Sequence, residues 1–141
     1  MKSPKPAGYS GTPLHKKLGL KPGLSFLLEN APENYLQDTL VDLSPEVNFV
    51  TQKEDASVDV VQGFFKENAA FEAALLRYMK TIHKGGMIWI SWPKKASKVA
   101  TDLDEGKIRG FALRSGLVDV KVCAVDKTWS GLKLVYRLKD R

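Results

Sequence analysis

Apolar positions along the chain follow two kinds of pattern. Short runs that are apolar at nearly every position recur at Leu24 to Leu28, Val47 to Val50, Val58 to Phe65 and Met87 to Ser91. A strand covered on both faces reads this way, and the richness in Val, Ile and Phe supports strands. Between the runs lie segments with helical spacing. In residues 68–83, Phe71, Ala74, Leu75, Tyr78, Met79 and Ile82 fall at i, i+3, i+4, i+7, i+8 and i+11, one continuous stripe, with Gly85 and Gly86 as the expected stop. Thr12 as N-cap and Pro13 as first helical residue open a shorter helix that Gly19 ends. Pro32 opens another, to about Leu40, with Tyr35, Leu36 and Leu40 inward. Asp102 and Glu105 make a capping box for a further helix with Ile108, Phe111 and Ala112 inward and Gly116 as its C-cap.

Leu117 to Val125 and Leu132 to Leu138 read as two last strands, and the six residues Asp126 to Gly131 between them suit a hairpin rather than a crossover. Strands alternating with helices predict an α/β fold: an open, mostly parallel Rossmann-like sheet of about six strands, helices on both faces and a C-terminal antiparallel hairpin. The doubly apolar strand 87–91 belongs at its centre. The direction of strand 47–50 stays open. Residues 51–57 reach about 23–25 Å when extended, just enough for a parallel return. Pro4, Pro6, Gly8 and Gly11 make residues 1–11 an extended arm, leaving 12–141 as a single domain.

A chain of 141 residues buries a core large enough to need no disulfide. The single cysteine, Cys123, excludes an internal disulfide, and no metal-ligand spacing is present. The opening MKSPKPAGYSG has no apolar stretch, and Met87 to Trp92 is too short to span a bilayer, so a cytoplasmic protein with no membrane partner is expected. The net charge of +6 is uneven: +5 over residues 1–22, −5 over 23–92 and +6 over 93–141. Such asymmetry marks an anionic partner, or simply basic ends that meet an acidic middle. Nucleic acid is disfavoured, because the basic residues are not interleaved with aromatics as a stacking platform requires.

Several segments resemble a bacterial family of unknown function: Tyr9-Ser-Gly-Thr-Pro-Leu14, Lys17-Leu-Gly-Leu-Lys-Pro-Gly23, Ser91-Trp-Pro-Lys-Lys-Ala-Ser97, Thr101-Asp-Leu103, Gly116 to Asp126 and Trp129-Ser-Gly-Leu-Lys133. That resemblance implies no activity. Residues 58–138 are also similar to the C-terminal half of S-adenosylmethionine-dependent methyltransferases, through Val58-Asp-Val-Val61, Lys84-Gly-Gly-Met-Ile-Trp-Ile-Ser91 and the terminal hairpin. The N-terminal half departs from them. The turn after the first strand, Glu29-Asn-Ala-Pro32, lacks glycine, and the second strand ends in Thr51-Gln-Lys53 instead of an acid. No methyltransferase site residue carries over, and no cofactor is named.

In open α/β sheets ligands sit at the carboxyl ends of the strands, where strand order reverses. Asn30, Ser91, Lys94, Lys95, Ser97 and Thr101 are therefore the candidate binding residues, with lysines and hydroxyls suited to an anionic small molecule. Tyr9, Ser10 and Thr12 on the arm are a candidate lid. Cys123 has Lys121 two residues away on the same strand face, but the only histidines, His15 and His83, offer it no evident base, so it reads as a half-buried strand cysteine. Trp129 reads as a loop anchor, and Asp126 as a residue binding the loop's own backbone. A non-catalytic small-molecule or anion-binding domain on a degenerate methyltransferase-like scaffold is the expected function. The alternatives are a divergent group-transfer enzyme and a nucleic-acid or protein-interaction module using the basic ends.

Overall fold

The computed structural model describes residues 11–51 and 54–141. In chain order the elements are α1 (Leu14–Lys17), β1 (Ser25–Glu29), a π-helical turn (Tyr35–Thr39), β2 (Asn48–Phe49), β3 (Val58–Phe64), α2 (Asn68–Thr81), β4 (Ile82–Pro93), α3 (Glu105–Ser115), β5 (Leu117–Ala124) and β6 (Trp129–Tyr136). They build one six-stranded sheet in the order β2-β1-β3-β4-β6-β5. β1 pairs in parallel with both β2 and β3, and β3 with β4, whereas β6 runs antiparallel to β4 and β5. The short β2 is thus parallel, and among the described residues no helix lies between β2 and β3, on opposite sides of β1.

Both faces of the sheet are covered. Leu27, Val61, Ile88, Ile90, Leu132 and Leu134 pack with Phe71, Leu75 and Tyr78 of α2 and Ile108 and Ala112 of α3. Phe26, Val60, Phe64, Trp89 and Trp129 pack on the other face with Leu18, Tyr35 and Leu40. The Trp89 indole N–H donates to the Leu18 carbonyl at 3.0 Å, tying the end of α1 to the central strand. Six of the seven β3 residues are buried, which is why that strand reads as apolar apart from Asp59 and Gln62.

Several elements differ from expectation for identifiable reasons. α2 ends at Thr81, because Ile82 is already extended and opens β4. The Gly85-Gly86 pair does not stop the helix. It sits in a bulge, since Val58 faces Ile82 while Val60 faces Met87. A Cβ on Gly86 would lie 2.9 Å from the Asp59 carbonyl, so only glycine lets the strands approach there. Thr12 does not cap α1: Pro13 holds the N-cap position, and its carbonyl accepts from the Lys16 and Lys17 amides. The predicted helix from Pro32 shrinks to the π-helical turn. A Leu40 N–H to Tyr35 carbonyl bond there brings those two side chains inward and leaves Leu36 42% exposed. α3 is capped by Asp104, whose carboxylate accepts from the Lys107 amide, and not by Asp102. The hairpin loop is shorter than predicted, because Trp129 is the first residue of β6 and is buried. Among the described residues no helix is long and apolar enough to cross a membrane.

Candidate functional site

From β1 the chain passes to β2 on one side, while β3 lies on the other, so the strand order reverses between β1 and β3. The loops after these two strands diverge around a cavity of ≈ 490 Å³. Asn30 and Pro32 follow β1 there, Phe64 to Glu67 close β3, Ala70 comes from the first turn of α2, and Val99, Thr128 and Trp129 complete the wall. The floor is aromatic: the Phe64 ring meets Trp129 edge-on at 5.1 Å and Tyr35 at 5.0 Å.

The polar groups nearby are largely engaged. The Glu29 carboxylate, at the end of β1, accepts the Tyr78 hydroxyl at 2.5 Å and pairs with Arg77 at 3.2 Å. Burial, then the Glu29 carboxylate, push the Tyr78 phenol far above its ordinary pKa. The first amide of α2, on Asn68, donates to the Asp102 carboxylate at 2.6 Å, so a carboxylate already occupies that helix end. The charged side chains on the wall are Lys66 and its neighbour Glu67.

The residues singled out from sequence are dispersed. Asn30 lines the cavity, with φ 60°. Ser91 is fully buried at the sheet centre, where its hydroxyl accepts from the Gln62 amide at 3.4 Å while the Gln62 carbonyl accepts from Tyr35 at 2.9 Å. The Lys94 amide donates to the Thr128 carbonyl, and the exposed Lys95 opens a short 3₁₀ turn. The Ser97 hydroxyl donates to the Lys94 carbonyl at 2.7 Å, and the Thr101 hydroxyl to the Lys66 carbonyl at 2.6 Å. The wall of the cavity is built without these five residues. Tyr9 and Ser10 lie outside the described residues, and Thr12 is exposed beside a second cavity. Ala70, Val99 and Thr128 carried no sequence signal, since they are ordinary residues brought together only by the fold. Asp126 does bind its own loop, accepting from the Thr128 and Trp129 amides at 2.8 Å.

S-adenosylmethionine in its familiar pose does not fit these residues. Asn30 takes the left-handed conformation that glycine favours, but it carries a side chain where backbone would have to approach a cofactor. The Glu29 carboxylate is tied to α2, and the described end of β2 offers Val50 and Thr51 rather than an acid. Among the described residues no group of three or more His, Cys, Asp or Glu is placed to hold a metal ion.

Comparison with solved structures shows the same architecture in methyltransferases. An S-adenosylmethionine-dependent methyltransferase from Aquifex aeolicus superposes with a TM-score of 0.57 at 14% identity, covering 86% of each chain. Mitomycin 7-O-methyltransferase MmcR gives 0.61 at 8% identity over 82% of this chain, which spans 49% of that one. A ribosomal protein L11 methylase from Lactobacillus delbrueckii gives 0.54 at 11% identity, over 86% of this chain and 74% of the other. At these identities the likeness is one of fold. No curated protein sequence matches. The family described as protein of unknown function (DUF3052) matches residues 18–138, and the chain belongs to it.

Proposed function

We propose that this protein is a small-molecule-binding domain rather than a methyl-transfer enzyme, its ligand seated in the cavity where β1 and β3 diverge. The cavity itself carries the reading: a ≈ 490 Å³ space at the strand-order reversal is the place where open α/β sheets take ligands. Its walls favour a ligand with a flat, apolar body packed against Phe65, Val99 and Trp129. Asn30 and Lys66 then supply the few polar contacts that would orient it. Against catalysis stands the use of Glu29, the carboxylate that ends β1, in fixing α2.

The test is a thermal-shift screen with nucleosides, nucleotides, phosphorylated metabolites and S-adenosylmethionine. A ligand at a hundredfold excess over its Kd stabilises the native state by about 2.7 kcal/mol. Ala70→Trp, at an exposed position on the cavity wall, fills the space and is expected to remove the shift while the fold persists. A screen without any shift, or a shift that survives Ala70→Trp, overturns the reading. A shift with S-adenosylmethionine, followed by methyl transfer, would establish the divergent group-transfer enzyme instead.

A further inference from the structure

The two basic ends of the sequence do not fold against its acidic middle at every point. They also meet each other. On the α1 side of the sheet, Thr12, Lys16 and Lys17 of the N-terminal segment face Lys121 to Ala124 of β5 across a cavity of ≈ 450 Å³. Lys133 of β6 stands directly opposite Lys121 in the antiparallel ladder. Facing cross-strand side chains have Cβ atoms about 4.5–5.5 Å apart, and like charges there repel.

Other cations near the sheet are neutralised: Arg109 by Glu105 and Asp119, and Arg77 by Glu29. Among the described residues, Lys16, Lys121 and Lys133 are in no ion pair. The charged groups that act on Lys133 and on Cys123 here are themselves cations. Burial, and beside it Lys121 and Arg141, lower the Lys133 ammonium pKa, and Lys17 and Lys121 act on the half-buried Cys123 thiol. Lys16, Lys17 and Lys121 thus line one concavity with the Thr12 hydroxyl at its rim, and Lys133 stands beside it, held by the sheet register in mutual repulsion with Lys121.

We propose that the cavity between α1 and β5 binds a chain of two or three phosphates, held by Lys16, Lys17, Lys121 and Lys133. Such a ligand relieves the repulsion that the ladder imposes. Its compact charge suits a cavity of this size better than a long polymer does. The phosphate chain could be free polyphosphate or that of a nucleotide, and both offer the same chemistry. Nothing here depends on the cavity between β1 and β3.

The experiment titrates inorganic tripolyphosphate, ATP and a single-stranded oligonucleotide into the full chain by calorimetry, at low and high salt. The same titrations are made on Lys121→Gln/Lys133→Gln and on Lys16→Gln, the last at an exposed site. Tripolyphosphate is expected to bind with affinity falling as salt rises, and at least tenfold more weakly to each variant. ATP binding alone, lost in the same variants, supports the nucleotide as source. In phosphate-free buffer the double variant is expected to melt at a higher temperature than the parent, because the facing charges are gone. Binding of neither tripolyphosphate nor ATP, equal binding by the variants, or binding of the oligonucleotide alone overturns the proposal. Ala70→Trp is expected to leave tripolyphosphate binding intact, so failure of one site is distinguishable from failure of the other.

Discussion

The hydroxyl of Tyr78 donates a 2.5 Å hydrogen bond to the carboxylate of Glu29, joining the last turn of α2 to the end of β1. The pair spans 49 positions of sequence and fixes the helix over the sheet beside the first cavity. Tyr78→Phe keeps the ring and removes the bond. It is expected to cost about 1–3 kcal/mol, the usual loss for a buried hydrogen bond to a charged group, read from the urea midpoint.

Gly63 lies directly beneath that tyrosine. A Cβ there would stand 2.5 Å from the Tyr78 hydroxyl oxygen and 2.7 Å from the edge of the Phe65 ring. Gly63→Ala is therefore expected to destabilise the fold by about 1–3 kcal/mol through overpacking. Combined with Tyr78→Phe, the loss should be smaller than the sum of the two single losses, because the nearest clashing atom is gone. A strictly additive double mutant would show that the two positions do not share this contact.

How much of this was visible beforehand differs from element to element. The stripe from Phe71 to Tyr78 and the runs in β3 and β4 gave the layers and the central strands correctly, because burial on one face or two leaves a direct mark on residue spacing. Cap residues were harder. Asp102 and Asp104 both precede α3, and only the fold shows that Asp104 caps it while Asp102 reaches across to the Asn68 amide of α2. The first cavity was legible as a place, the carboxyl ends of β1 and β3, and Asn30 as one of its side chains, but most of its wall was not. Ser97 and Thr101 carry the right chemistry for an anion yet bond the backbone around them. Val99 and Ala70 carry no chemical signal and stand on the wall.

A second cluster lies toward the amino ends of β1, β3 and β4. Asp59 accepts the Ser25 amide and hydroxyl at 2.9 and 3.1 Å and contacts the His83 ring at 2.8 Å. The Gly85 amide donates to Nδ1 of His83, so Nε2 carries the proton that Asp59 accepts. Burial works against the Asp59 charge, but Ser25 and His83 outweigh it and hold its pKa below the usual carboxylate value. The stability this group contributes is therefore present above the unfolded-state pKa of about 4 and is lost as pH falls through the lower folded value. Asp59→Asn is expected to flatten the fall of stability between about pH 5 and pH 2, measured by denaturant melts across that range. A parallel fall in both proteins would remove Asp59 from the acid response.

Cys123 offers a simpler measurement. Burial pushes its thiol pKa up, against the opposing pull of Lys17 and Lys121. At pH 8 it is expected to react with an aromatic disulfide reagent several-fold more slowly than glutathione does, and at the same rate once the chain is unfolded in guanidinium. Equal rates in the folded protein would mean an accessible, activated thiol.

Two of the loops that border the first cavity, the one after β3 and the one that carries Val99, are latched together. The Lys66 carbonyl accepts both the Thr101 hydroxyl and the Asp102 amide, while the Asp102 carboxylate holds the Asn68 amide. These two rims are therefore expected to open together, in one concerted event instead of two independent ones. The amide protons of Asn68 and Asp102 are then expected to exchange with solvent at a common pace, and unequal rates would show that the two rims open separately.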